Sequence, residues 1–147
     1  MTKQASTDLM RAWARIVRVK QTLQAAIELD LKEAGTLPLE WYDALLELER
    51  APGGHLSPRE LERQMLIAQY NLSRLVDRLE QKKLVKRIDY PGDKRRQLIE
   101  ITELGKKQRK EAWPVYAAAV EKQAGGKFKP QELRQLLDLL GRIMPPA

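Results

Sequence analysis

Lys94, Arg95 and Arg96 stand side by side behind Asp93 and a Pro91-Gly92 turn, and upstream Gln69, Tyr70, Asn71, Ser73, Arg74 and Arg78 cluster near the start of an amphipathic segment. Their chemistry is hydrogen bonding and charge, since guanidinium groups grip phosphate or guanine and amides and hydroxyls match the edges of bases. Bond-breaking chemistry has little to draw on. The chain has no cysteine and one histidine, His55, beside a Gly-Gly turn that reads as surface loop. That removes disulfides, thiolate metal sites and cysteine nucleophiles, and no acyl-transfer set or Gly-rich phosphate loop can be assembled. No enzyme activity, cofactor or metal is expected.

Charge is distributed to suit a polyanion. Residues 82 to 110 hold 11 Lys/Arg against 4 Asp/Glu, a surplus of +7, and the other 118 residues hold 16 of each. The net charge of the whole chain therefore lies in one short stretch, which points to a phosphate-facing surface.

The elements that must carry these residues follow from apolar spacing. A long helix is predicted from 8 to about 34, with Leu9, Trp13, Ile16, Leu23, Ile27 and Leu31 forming a stripe that ends near Gly35. Pro38 opens a second helix with Trp41, Ala44, Leu45 and Leu48 on one face, closed by Ala51-Pro52-Gly53-Gly54. Ser57-Pro58-Arg59-Glu60 is a capping box, so a short helix from Pro58 to about Gln64 follows. Met65 to Ala68 is then a turn, and a helix from about Gln69 to Lys82 buries Leu72, Leu75, Val76 and Leu79. Its other side carries Tyr70, Ser73 and Arg74, groups suited to reading base edges. Strands are expected at Leu84 to Asp89 and Gln97 to Ile101, joined by a tip that bears the three cations. Thr102 caps a helix reaching about Gln123 with a kink at Pro114, and Gly125-Gly126 breaks it. A last helix from Pro130 presents Leu133, Leu136, Leu137, Leu140 and Ile143.

A helix feeding directly into a basic hairpin is the order of a winged helix-turn-helix. Its unit, residues 37 to 102, is too small to need both flanking helices to close its core. The apolar stripes at 8–34 and 103–144 therefore predict a homodimer, with Leu9, Leu133, Leu136, Leu137, Leu140 and Ile143 at the interface. Two reading helices would then stand roughly 34 Å apart. At 147 residues with 43% hydrophobic and 32% charged residues, the chain reads as one domain. It has no apolar run of about 18 residues and no recognisable export signal, so no membrane association and a cytoplasmic location are expected.

The segment LSRLVDRLEQKKLVKR, followed by Asp93-Lys94-Arg95 and by Ile101-Thr-Glu-Leu-Gly105, resembles the MarR family of bacterial transcriptional regulators. TLPLEWYDALLEL at 36–48 and HLSPREL at 55–61 extend the likeness. The resemblance implies a mainly α fold with a small β-hairpin, a homodimer interlocked through its terminal helices, and repression from short palindromes of double-stranded DNA. It implies that Arg95 enters the minor groove with Asp93 positioning it, and that Tyr70, Asn71, Ser73 and Arg74 approach the major groove. Release by a small aromatic or phenolic effector is also implied, which would make Trp13, Ile16, Trp41, Leu45, Trp113 and Tyr116 walls of its pocket. Ala68 stands where the family often has a helix cap, Tyr70 where a small residue is common, and Leu66 replaces a frequent turn glycine. The rival reading is a winged-helix module that docks on protein and never touches DNA.

Overall fold

The computed structural model describes the backbone of residues 3–146 and the side chains of residues 7–146. Its elements are α1 (Lys3–Glu33), α2 (Leu39–Arg50), a 3-10 turn (Pro52–Gly54), β1 (His55–Leu56), α3 (Pro58–Gln64), α4 (Leu72–Gln81), β2 (Val85–Tyr90), β3 (Asp93–Ile101), α5 (Glu103–Ala124) and α6 (Pro130–Gly141). The expected mainly α fold with a small β element is the one observed. Two compact units divide the chain. One spans Ile27–Tyr116, and the other takes the described residues up to Ala26 and from Ala117 onward. No helix among the described residues is long and apolar enough to cross a membrane.

Within the first unit, Leu31, Leu45, Leu48, Leu61, Leu79, Leu84 and Ile99 are fully enclosed, together with the ring of Tyr42. Removing such side chains from water supplies most of the drive to fold. The sheet is antiparallel in the order β1-β3-β2. Val85 pairs with Ile101 and Asp89 with Gln97, and the register shifts between Asp89 and Tyr90. His55 was expected in a surface loop, but it is half-buried in β1 and pairs with Glu100. Two residues are too few to show an alternating pattern, which is why the hairpin signal missed this third strand.

Helix starts follow local chemistry closely. Ser57 Oγ accepts the Glu60 amide at 3.2 Å while Glu60 Oε1 accepts the Ser57 amide at 3.3 Å, closing the capping box. Thr102 Oγ1 accepts the Gly105 amide at 3.0 Å and caps α5, which continues through Pro114. The start of α4 differs from expectation. The helix begins at Leu72 rather than near Gln69, because Asn71 Oδ1 accepts the Arg74 amide at 3.1 Å. The cap that Ala68 cannot provide is supplied three residues later, and Met65 to Asn71 form a longer linker than the predicted four-residue turn.

The end of α4 is a Schellman motif: Leu84 N–H donates to Leu79 C=O at 3.0 Å and Lys83 N–H to Glu80 C=O at 2.9 Å. Lys83 holds the left-handed position, with φ of 62°. A side chain there costs roughly 1–2 kcal/mol, and glycine gives back about 0.5–1 kcal/mol of that through its greater entropy loss on folding. Lys83→Gly is therefore expected to raise stability by about 0.5–1 kcal/mol. A urea titration with a higher midpoint and unchanged slope is the expected result, and a midpoint at or below wild type contradicts it.

Candidate nucleic-acid interface

Helix α4 buries Leu75, Val76 and Leu79 and leaves Ser73, Arg74 and Arg78 exposed. Three of the predicted contact residues lie just before it instead of on it. Gln69 is half-buried, with its Nε2 donating to the Ile67 carbonyl at 3.3 Å. Tyr70 projects from the linker and is fully exposed, and Asn71 spends its side-chain oxygen on the cap.

The wing differs from expectation in one respect. Its turn is Pro91-Gly92 alone, so Lys94, Arg95 and Arg96 belong to β3 rather than to a loop tip. All three are exposed. Asp93 Oδ1 accepts the backbone amide of Arg95 at 3.0 Å, so it fixes the main chain at that residue and leaves the guanidinium unclamped. The Arg96 guanidinium sits 4.6 Å from the centre of the Tyr90 ring, a cation–π contact that directs its side chain across the hairpin. A cleft of about 640 Å³ includes Arg59, Tyr70, Ser73, Arg87 and Gln97 on its walls, bringing residues of α3, α4, the linker and both wing strands to one depression.

Two residues that sequence reasoning passed over organise this surface. Arg87 on β2 reaches α4 twice, with Nη2 to Asp77 Oδ1 and Nη1 to Glu80 Oε1 both at 2.7 Å, and its backbone amide donates to Glu80 Oε2 at 3.3 Å. Burial works against its charge, but the hydrogen bond to Asp77 and the two carboxylate charges outweigh that and raise its pKa. The second is Asp43 in α2, only 4% exposed, whose Oδ2 accepts the Ile67 amide at 2.8 Å. Burial raises the pKa of this carboxyl, and the amides of Ile67 and Leu66 partly offset the shift. A visible signal for Asp43 was its place four residues after Leu39, a carboxylate on the apolar side of a helix.

The six predicted pocket residues are divided between the units. Trp13 and Ile16 belong to the second unit, and Trp41, Leu45, Trp113 and Tyr116 to the first. Leu45 is enclosed in the core rather than lining a cavity. Tyr116 packs on Tyr42 with ring centres 4.8 Å apart, and Trp113 lies 5.9 Å from Tyr116. Trp41 is half-buried on the wall of a cavity of about 750 Å³ that also includes Leu37, Lys82, Gln108, Glu111 and Val115. The predicted interface residues are open to solvent in the isolated chain. Leu9, Leu133, Leu136, Leu137 and Ile143 are 52%, 45%, 40%, 72% and 72% exposed, Leu140 is half-buried, and α6 buries no residue.

Residues 36–96 match the MarR family. No curated protein sequence matches the chain. Among solved structures, the chain is similar to Sco3205, a MarR family transcriptional regulator from Streptomyces coelicolor in complex with DNA. Identity is 24% and the TM-score 0.80, over 93% of this chain and 86% of that one. It is also similar to AbsC, a MarR family transcriptional regulator from the same organism, at 24% identity and a TM-score of 0.78 over 97% and 93% of the two chains. A mutant MarR from E. coli complexed with operator DNA shares 21% identity and a TM-score of 0.78 over 94% and 96%. The likeness read from the sequence is thus borne out, in the matched segment and in the fold.

Proposed function

We propose that this chain, MarR-like in fold and in residues 36–96, is a dimeric, cytoplasmic regulator of transcription that binds palindromic double-stranded DNA and represses. The observation that carries the reading is the pairing of an exposed cationic strand, Lys94 to Arg96, with the exposed face of a capped helix bearing Ser73 and Arg74. A regulator needs both: cations neutralise phosphates without regard to sequence, and side chains on the helix distinguish bases. Two of the solved structures it resembles, Sco3205 and a mutant MarR from E. coli, hold DNA. In this reading Arg95 enters the minor groove, where negative potential is concentrated, while Lys94 and Arg96 meet phosphate. Arg74 and Ser73 face the major groove, and Gln69, Tyr70, Asn71 and Arg78 flank them.

Arg95→Ala is expected to weaken duplex binding by roughly tenfold or more and to lower the dependence of log affinity on log salt by about one. Fluorescence anisotropy between about 50 and 200 mM salt measures both. Wild-type binding that stays flat across that range would favour the protein-docking module, which has no counterions to release.

The terminal helices join two copies in this reading, through Leu9 on α1 and Leu133, Leu136, Leu137, Leu140 and Ile143 on α6. Leu137→Lys places a charge in that contact and is expected to give a monomer in sedimentation equilibrium. A dimer of unchanged strength in this variant would remove α6 from the interface.

An aromatic or phenolic effector completes the reading, with Trp41 as its anchor. The cavity beside Trp41, about 750 Å³, falls within the size range of small-molecule sites. Phenolic acids are expected to quench tryptophan fluorescence and release a bound duplex over the same concentrations. Trp41→Leu should abolish both responses, and quenching that persists in this variant would exclude Trp41 as the anchor.

A further inference from the structure

Between α3 and α4 the chain runs for seven residues, Met65 to Asn71, without regular structure. Met65 is buried and Ile67 half-buried, but Leu66 is 72% exposed and Tyr70 fully so. What reaches the linker from elsewhere in the fold is Asp43. This side chain is almost fully enclosed on α2, 24 positions earlier in the chain, and its Oδ2 receives the Ile67 amide at 2.8 Å. A carboxylate in the core is costly unless it is hydrogen-bonded, and here the Ile67 amide makes that bond while the Leu66 amide also favours the charge. At the far end of the linker, the Asn71 cap sets the first turn of α4. The path of the linker is therefore defined at both ends, by Asp43 near its start and by Asn71 at its end.

We propose that Asp43 is a positioning residue for sequence reading: by holding the Ile67 amide from behind, it fixes where α4 begins and where Tyr70, Ser73 and Arg74 stand. The inference rests on the DNA-binding reading above. Asp43 touches no DNA in this account. Its contribution is to discrimination between sequences, since phosphate contacts from the wing do not depend on the linker. Asparagine offers an acceptor oxygen of the same shape in the same place and should keep the function. Alanine leaves the amide without its partner and should lose it.

The test compares the full-length wild type with Asp43→Asn and Asp43→Ala. Wild type first selects from random duplexes of roughly 30 base pairs, enough for two half-sites. Affinities are then measured for the enriched duplex and for a shuffled version, alongside hydrogen exchange at the Ile67 amide. The expected result is that Asp43→Asn keeps the preference within about threefold, while Asp43→Ala loses roughly tenfold of it. Asp43→Ala should bind the shuffled duplex as wild type does, and it alone should show faster exchange at Ile67. A general loss of structure would lower both affinities together. An Asp43→Ala protein with full preference overturns the proposal, as does unchanged exchange at Ile67. Should Asp43→Ala not fold, loss of preference in a folded Asp43→Asn protein overturns it, because the acceptor is still there. If wild type enriches no duplex, the DNA-binding reading itself falls, whatever the exchange at Ile67 shows.

Discussion

The corner between α4 and β2 sets the relation between helix and wing, and three interactions hold it rigid. Lys83 turns the chain in a left-handed conformation, with the Schellman bonds satisfying the last carbonyls of α4. From the other strand, the Thr102 amide donates to the Leu84 carbonyl at 3.0 Å, and the Thr102 hydroxyl lies 2.7 Å from the Lys83 carbonyl. Arg87 then ties β2 to Asp77 and Glu80 one turn apart on α4. A helix and a hairpin joined by one flexible residue could vary in relative angle. Here the turn, the cross-strand bonds and the forked ion pair all constrain the same angle, and all three act on the C-terminal half of α4, away from its capped start.

Much of this fold was legible because its signals are local. The capping box at Ser57, the apolar spacing of Leu72, Leu75, Val76 and Leu79, and the cap at Thr102 depend on residues within one or two turns of each other. The start of α4 was misplaced because apolar periodicity marks a buried face and not its first residue. What sets that first residue is the Asn71 side-chain oxygen, which accepts the Arg74 amide. The linker was harder still, since its path depends on Asp43, a partner 24 positions away that no window of local pattern contains. The three cations were expected at a loop tip, but Pro91-Gly92 makes so tight a turn that they fall within the strand.

The local surplus of charge is also partitioned in a way composition cannot show. Within residues 82 to 110, Lys86, Arg87, Lys106 and Arg109 pair with Glu100, with Asp77 and Glu80, with Glu103, and with Glu49 respectively. Arg96 is drawn over Tyr90. Lys94 and Arg95 make no ion pair among the described residues, and both are exposed. Exposed pairs are worth little to stability, so the paired lysines are not strongly held. Arg87 differs, because it is mostly covered and grips two carboxylates, which commits it to architecture. Lys82, Lys83, Lys107 and Lys110 are likewise exposed and outside any ion pair among the described residues, so the unpaired cations fall in three places: the end of α4, the start of β3 and the first turns of α5.

The proposed dimer also has an energetic requirement that constrains which helices must take part. Fully burying a large aliphatic side chain yields at most about 1.5–3 kcal/mol, and less when it is already half-covered. Counted on both copies, the partly covered Leu133, Leu136, Leu137 and Ile143 then supply on the order of 10 kcal/mol, with about 14 kcal/mol as the ceiling. Association costs an estimated 4–15 kcal/mol in lost freedom before any affinity appears. A contact made by α6 alone would leave little margin over the upper part of that cost. Leu9, Met10, Trp13 and Val19 on α1 are each more than half exposed, and they add the area that α6 lacks. The tryptophan matters most among them, because a large ring buries more surface for the few torsions it loses. In the proposed dimer, a stable pair therefore draws on both terminal helices of each copy, which fits apolar stripes at opposite ends of the chain.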